Sequence, residues 1–420
     1  MEKGSNSANT AAEEPSVYRS AFSSPLFRIY FPSSCLATLG SWVVRFLLGW
    51  LAWTLSQSAF FVGCVACAML VPTFILSPWF GVLADRINTR TGLLTTTALQ
   101  GIVATMAALV TYLDLMNQSL LLAFALCFGS IIAAHTPIRL AFIPFLVERN
   151  ALPSAIGLSA VAFNTSRIIG PAAGAALLAT TSLAATFLIG AFLTIVAHAL
   201  LWRVRVDTRL SNDQSSAGSF WVQLAAALTY LLEAANIRWI FFLTMVSGLL
   251  GRSALELLPA ISGAILDGGA STLALLTAMA GVGSVIGGLL VSRQASRLDR
   301  IYDIVRVALG IAALTLLTLA EWKNMLWAGA GVCVVSCCTT IVGTGCQSLV
   351  QLMVAVNLRG RVMSLWTVVG MGTPAIGALI AGTAADHFGF PQVVAIPAVG
   401  AVFVLAISVR MRRSFRLADD

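Results

Sequence analysis

Apolar runs of roughly 20 residues, the length a helix needs to cross hydrocarbon, recur along the whole chain and are separated by short turns of Gly, Pro and charged residues. The runs are continuous rather than alternating, so they predict helices and not barrel strands. Twelve spans result, near 34–55, 60–82, 93–113, 118–141, 155–179 and 183–202, then near 239–262, 271–291, 303–320, 325–350, 362–384 and 391–410. The predicted class is an all-α membrane protein.

Composition agrees: 58% of the 420 residues are hydrophobic and only 10% are charged, which excludes an ordinary soluble domain. Residues 1–24 are polar and lack a basic start followed by an apolar core, so no cleavable signal peptide is expected. The net charge of +8 does not call for nucleic acid, because the arginines are spread over the turns that follow the even-numbered spans. Those turns hold Arg86 and Arg90, Arg203 and Arg205, and Arg293, among others, whereas the opposite turns hold Asp114, Asp267, Glu321 and His387, with Lys323 their only basic residue of fixed charge. The positive-inside rule then puts both termini in the cytoplasm, in a bacterial inner membrane. The eight cysteines all fall within apolar runs, and the lone CxxC at Cys64 and Cys67 has no partner pair, so neither a metal nor a cofactor is expected.

One long polar stretch, 203–219, divides the chain, and 220–238 reads as an amphipathic helix on the membrane surface. The expected organisation is a tail at 1–28, a six-helix bundle at 29–202, a linker at 203–238, a second bundle at 239–411 and a tail at 412–420. The bundles echo each other: Gly81, Arg86 and Arg90 match Gly288, Arg293 and Arg297 at one offset, since 288 − 81, 293 − 86 and 297 − 90 all give 207. GPAAG at 170–174 matches TPAIG at 373–377 in the same way. Internal duplication of this kind marks transporter folds with a binding site between repeats.

Two motifs carry a resemblance. Gly81, Leu83, Ala84, Asp85, Arg86 and Arg90, after the second span, resemble the cytoplasmic signature of the major facilitator superfamily, with Asn88 and Thr89 departing from it. A carboxylate such as Asp85 can sit against the positive N-terminal end of a helix, and the eleventh span starts on that side, so the motif is expected to latch the outward-facing state. Gly157, Ser166, Gly170, Pro171, Gly174 and Ala175 resemble the fifth-span antiporter motif of its exporters. Small residues at that spacing allow close helix approach, and Pro171 supplies a bend. The stretches 138–159 and 349–366 are similar to the branch that contains enterobactin and other siderophore exporters. The resemblance implies twelve helices in two pseudo-symmetric six-helix bundles.

In that superfamily the first, fourth, seventh and tenth spans line the cavity. Here they carry Arg45 and Trp50, then His135 and Arg139, then Arg252 and Glu256, then Gln347 and Gln351, while Asn164 and Arg167 stand on the fifth. Arginine stays protonated, so within a bilayer it must be paired, hydrated or matched to an anion. The sets on the fourth, seventh and tenth spans are i, i+4 pairs and Asn164 with Arg167 is i, i+3, so the members of each of these pairs share a helix face. Arg139 also lies near the end of its span, where snorkelling to the interface is open to it. Trp42, Trp50, Trp53 and Trp366 are available to stack on an organic body. Glu256 is the one carboxylate placed well inside a span and is expected to pair with Arg252 until an anionic substrate draws that guanidinium away. It would then take up a proton.

The expectation is a monomeric, proton-coupled antiporter that exports a small anionic molecule such as a carboxylate-bearing siderophore. A multidrug efflux pump, a lysophospholipid or metabolite carrier, and import rather than efflux stay open. An enzyme is not expected, since no HExxH, GxSxG or P-loop pattern occurs in any turn.

Overall fold

The computed structural model describes residues 20–206, 228–293, 298–318 and 324–393, with Val399, positions 149, 355 and 391 excepted. The first six helices are α1 (Pro25–Ser56), α2 (Ala59–Arg86), α3 (Thr89–Tyr112), α4 (Gln118–Phe142), α5 (Leu152–Thr180) and α6 (Leu183–Trp202). Next come α7 (Ala235–Glu256) and α8 (Leu258–Ala264), which meet at a bend of 54°. Then α9 (Ala270–Ser292), α10 (Leu298–Leu317), α11 (Met325–Met353) and α12 (Val356–Phe388) follow. Among the described residues there is no strand, and seven helices, or eight with the bent pair taken as one span, are long and apolar enough to cross a bilayer. The twelfth predicted span, both far tails and most of the predicted surface helix lie outside the described residues, although 228–233 is helical.

Short polar residues set several helix starts. Ser24, Asn88, Asn117, Ser182 and Asn324 each accept a backbone N–H of the first turn through their side chains, satisfying donors that a helix leaves open. α1 begins well before the predicted residue 34, because Phe27 and Tyr30 are fully buried and the Tyr30 ring lies 5.6 Å from that of Phe142 on α4. The seventh span was expected to be continuous, but it breaks at Leu257. Pro259 lacks an N–H and its ring would collide with the carbonyl four residues back, so the helix restarts in a new direction. Just before the break, Gly248–Arg252 forms a π-helical turn.

Chain direction defines two faces: a near face, where α1 begins, and a far face, where it ends. α1 packs on α5 and α6, α2 on α4, and α3 on α6, while α9 and α10 pack on α11. The two parts of the chain meet chiefly where α2 packs on α12 and α5 on α9, with α8 touching both α1 and α2.

The far-face contacts are tight. A Cβ on Gly63 of α2 would stand 2.6 Å from the Ala378 carbonyl oxygen of α12, and one on Gly382 of α12 would overlap the Ala59 carbonyl of α2. The Trp53 indole of α1 covers Gly263 of α8. Asp386, at the end of α12, receives the Ser58 hydroxyl at 2.5 Å and the backbone N–H groups of Ala59 and Phe60 at 2.8 and 3.1 Å. A carboxylate at a helix N-terminus gains from both the open donors and the helix dipole.

At the near face, Arg90 donates from Nη2 to the Trp202 carbonyl at 2.8 Å and from Nε to the Val204 carbonyl, tying α3 to the end of α6. Gly81, Asp85 and Arg86 close α2, and their side chains are outside the described residues.

Candidate functional site

Three helices, α1, α5 and α7, bring charge together at mid-depth. Arg45 of α1 donates from Nη2 to Glu256 Oε2 of α7 at 2.7 Å, with side-chain exposures of 28% and 17%. The pair is therefore half-buried but reachable by water. It crosses between the first and second parts of the chain, in place of the expected same-helix pair with Arg252. Arg252 ends the π-helical turn and the helix bends one residue after Glu256, so i, i+4 spacing no longer sets the ion pair. Arg167 of α5 and Arg252 nevertheless act on Glu256 through space, as does Arg45.

Neither Arg167 nor Arg252 makes a direct ion pair among the described residues. Three guanidiniums thus face one carboxylate, an excess of two positive charges (3 − 1). In a half-buried site such an excess is costly unless water or an anion offsets it.

The antiporter-like glycines explain how the site is shaped. A Cβ on Gly170 would overlap the Cβ of Trp42 on α1, and one on Gly174 would stand 3.0 Å from the Phe46 ring. Glycine at these positions lets α5 lie directly against α1 beside Arg45. Pro171 is buried within α5, and Gly157 has open space around it.

Trp42 is the next link. Its ring lies 5.4 Å from Arg45 Cζ on one side and 5.9 Å from the Phe163 ring of α5, at 66°, on the other. Arg139 Cζ in turn lies 5.6 Å from the Phe163 ring. Phe163 carried no contrast within an apolar run, so sequence reasoning passed over it; its spacing of four from Arg167 was the available signal.

The other expected residues are placed as follows. His135 Nδ1 is 3.0 Å from Thr96 Oγ1 of α3, which holds its ring against the neighbouring helix. Asn164 is exposed and donates to the Ala160 carbonyl of its own helix at 2.9 Å. Gln347 is half-buried and Gln351 exposed, both toward the near-face end of α11. Trp50 is half-buried and packs on the hydrophobic core.

The family model described as "Transmembrane secretion effector" matches residues 18–419, nearly the whole chain. The chain belongs to that family, within the major facilitator superfamily. This transporter is 24% identical over 401 residues to the staphyloferrin A transporter of Staphylococcus aureus (strain NCTC 8325 / PS 47), covering 93% of this chain and 97% of that protein. It is 26% identical over 216 residues to the uncharacterized MFS-type transporter YfiS of Bacillus subtilis (strain 168), covering 50% and 49% of the two chains.

Among solved structures, the transporter resembles nucleoside transporter NupG at TM-score 0.67 and 16% identity, covering 92% of this chain and 98% of that one. It also resembles the human organic anion transporter MFSD10 at TM-score 0.64 and 16% identity, covering 91% and 98%. A bacterial homolog of the lysosomal transporter Spinster, solved inward-facing and unoccupied, matches at TM-score 0.69 and 14% identity, covering 92% and 96%. These likenesses bear out the fold, an all-helical one of the major facilitator type.

Proposed function

We propose that this transporter exports a small anionic organic molecule in exchange for protons, by rocking its two halves, 29–202 and 239–411, about a midplane site. The observation that carries the reading is the Arg45–Glu256 pair set among Arg167 and Arg252, which joins the halves and leaves two unbalanced positive charges. An anion entering this field offsets the excess and competes with Glu256 for Arg45. Glu256, once released, takes a proton, and departure of the anion restores the pair. One carboxylate shared between two halves is a simple means of making substrate and proton alternate.

Orientation follows from charge. The near face carries Arg90, Arg203, Arg205 and Arg293 in or beside its turns and the far face Asp114, Asp267 and Asp386, so the near face is cytoplasmic and both termini lie there. With the far face sealed by α2 and α12, the site loads from the cytoplasm. The relative named for staphyloferrin A supports a carboxylate-bearing siderophore as the cargo. The protein acts as a monomer without cofactor or catalysis, its partners being the solute, protons and the bilayer.

The test is secretion and transport together. Deleting the gene in its host should reduce release of an iron chelator, and wild type but not Arg45→Ala or Arg252→Ala should restore it. In proteoliposomes, Glu256→Gln should lose pH-driven uptake of that chelator. Full pH-driven transport by Glu256→Gln would refute the exchange scheme.

A further inference from the structure

The midplane cluster does not account for Arg139. This guanidinium belongs to the last turn of α4, where an arginine ordinarily snorkels outward to the interface. Its Cζ instead lies against Phe163, which stands eleven residues beyond Leu152 (163 − 152), roughly 16 Å up α5 from the near face at 1.5 Å per residue. The side chain therefore points inward. It has no carboxylate partner among the described residues; it lies against the Phe163 face, within electrostatic reach of Tyr30 and His135. A cation held inward beside a ring, a phenol and an imidazole, with no anion to balance it, is poised to take one.

The surroundings form a continuous path. Going inward, Arg139 meets Phe163 at 5.6 Å, Phe163 meets Trp42 at 5.9 Å, and Trp42 meets Arg45 at 5.4 Å. Phe163 is 39% exposed, so its surface is open to contact, and Trp42 is braced from behind by the close approach of Gly170. Two guanidiniums are thus separated by two aromatic rings. This spacing suits a solute with acidic groups on a flat or unsaturated body, one acid on each cation and the body on the rings.

We infer that Arg139, Phe163 and Trp42 form a separate loading subsite on the cytoplasmic side, with Phe163 selecting for an aromatic or otherwise planar body before the anion reaches Arg45. The inference rests on the anion-transport reading above. The two are separable, because the midplane arginines discriminate by charge alone whereas the loading subsite discriminates by shape as well.

The experiment uses the full chain in lipid nanodiscs and two tricarboxylate probes of like charge, trimesate, which is a benzene ring, and tricarballylate, which is aliphatic. Wild type should bind trimesate about five- to tenfold more tightly than tricarballylate, in keeping with a ring contact of about 1 kcal/mol. Phe163→Leu should abolish that preference and leave tricarballylate affinity unchanged, and Phe163→Tyr should restore it. Arg139→Gln should slow trimesate association and weaken its binding about tenfold. Arg252→Gln should weaken both probes equally and keep the preference. If Phe163→Leu and Arg139→Gln bind both probes as wild type does while Arg252→Gln binds neither, the loading subsite is overturned and the midplane site stands. If Arg252→Gln leaves both affinities unchanged, or wild type binds neither probe, the anion reading fails and this inference falls with it.

Discussion

Replacing Asp386 with alanine tests how the far face is kept shut. In the closed arrangement this carboxylate takes three hydrogen bonds from the first turn of α2, from Ser58, Ala59 and Phe60. All three are made between α12 and α2, so all are lost together when the halves part on that side. A hydrogen bond to an ionised group contributes about 1.5–3 kcal/mol, and removing a helix N-cap costs about 0.5–2 kcal/mol. Asp386 itself is exposed, so water recovers much of this on opening, and a net loss of about 2 kcal/mol is the reasonable figure. At about 1.4 kcal/mol per factor of ten, the closed-to-open ratio falls roughly 30-fold.

The change is measurable as a distance distribution between spin labels at Gln118 and Ser271, both exposed at the far-face starts of α4 and α9. The exposed Cys127 is replaced beforehand. Alanine should add or enlarge a long-distance population, and asparagine, which keeps one acceptor oxygen, should fall between alanine and wild type. An alanine variant with an unaltered distribution would show that the glycine contacts alone hold the far face closed and that Asp386 contributes nothing.

Further outcomes follow from the charge cluster and its packing. Glu256→Gln raises the local excess from two to three positive charges and Arg45→Gln lowers it to one, so the apparent Tm should drop more for Glu256→Gln, and added polycarboxylate should recover more of it; equal drops would argue against through-space repulsion as the governing force. Gly170→Val forces a side chain into Trp42 and should lower stability by about 1–3 kcal/mol, with transport lost even in preparations that remain folded, as uptake assays and thermal melts would show. Pro259→Ala restores an N–H where the seventh span breaks and should slow turnover by favouring a straighter helix, read as a reduced maximal uptake rate at unchanged apparent affinity; unchanged turnover would deny the bend a role. Arg90→Ala frees the end of α6 and should cost about 1–3 kcal/mol in thermal melts while leaving probe binding intact.

Much of this architecture was legible in the residues, for physical reasons that also mark where legibility stops. Span positions followed from uninterrupted apolar length, and the start of α1 was misplaced because Phe27 and Tyr30 earn their helical burial from Phe142, more than a hundred positions away. Arg45, Arg167, Arg252 and Glu256 stood out because ionised groups are rare in such runs. Their pairing did not: spacing along one helix favoured Arg252 with Glu256, and only tertiary placement reveals Arg45 as the hydrogen-bonding partner. The break at Pro259 was not drawn from the sequence, because the apolar run of the seventh span continues on both sides of it. Phe163 was invisible by composition, since a phenylalanine amid alanine and valine announces nothing until a guanidinium is found beside it.

The far-face seal is built from main chain and residues without bulk, Gly63 against Ala378 and Gly382 against Ala59. A closure made that way depends on what is missing: a methyl added at either glycine would meet only main chain, which no rotamer change can relieve, so α2 and α12 themselves would have to shift.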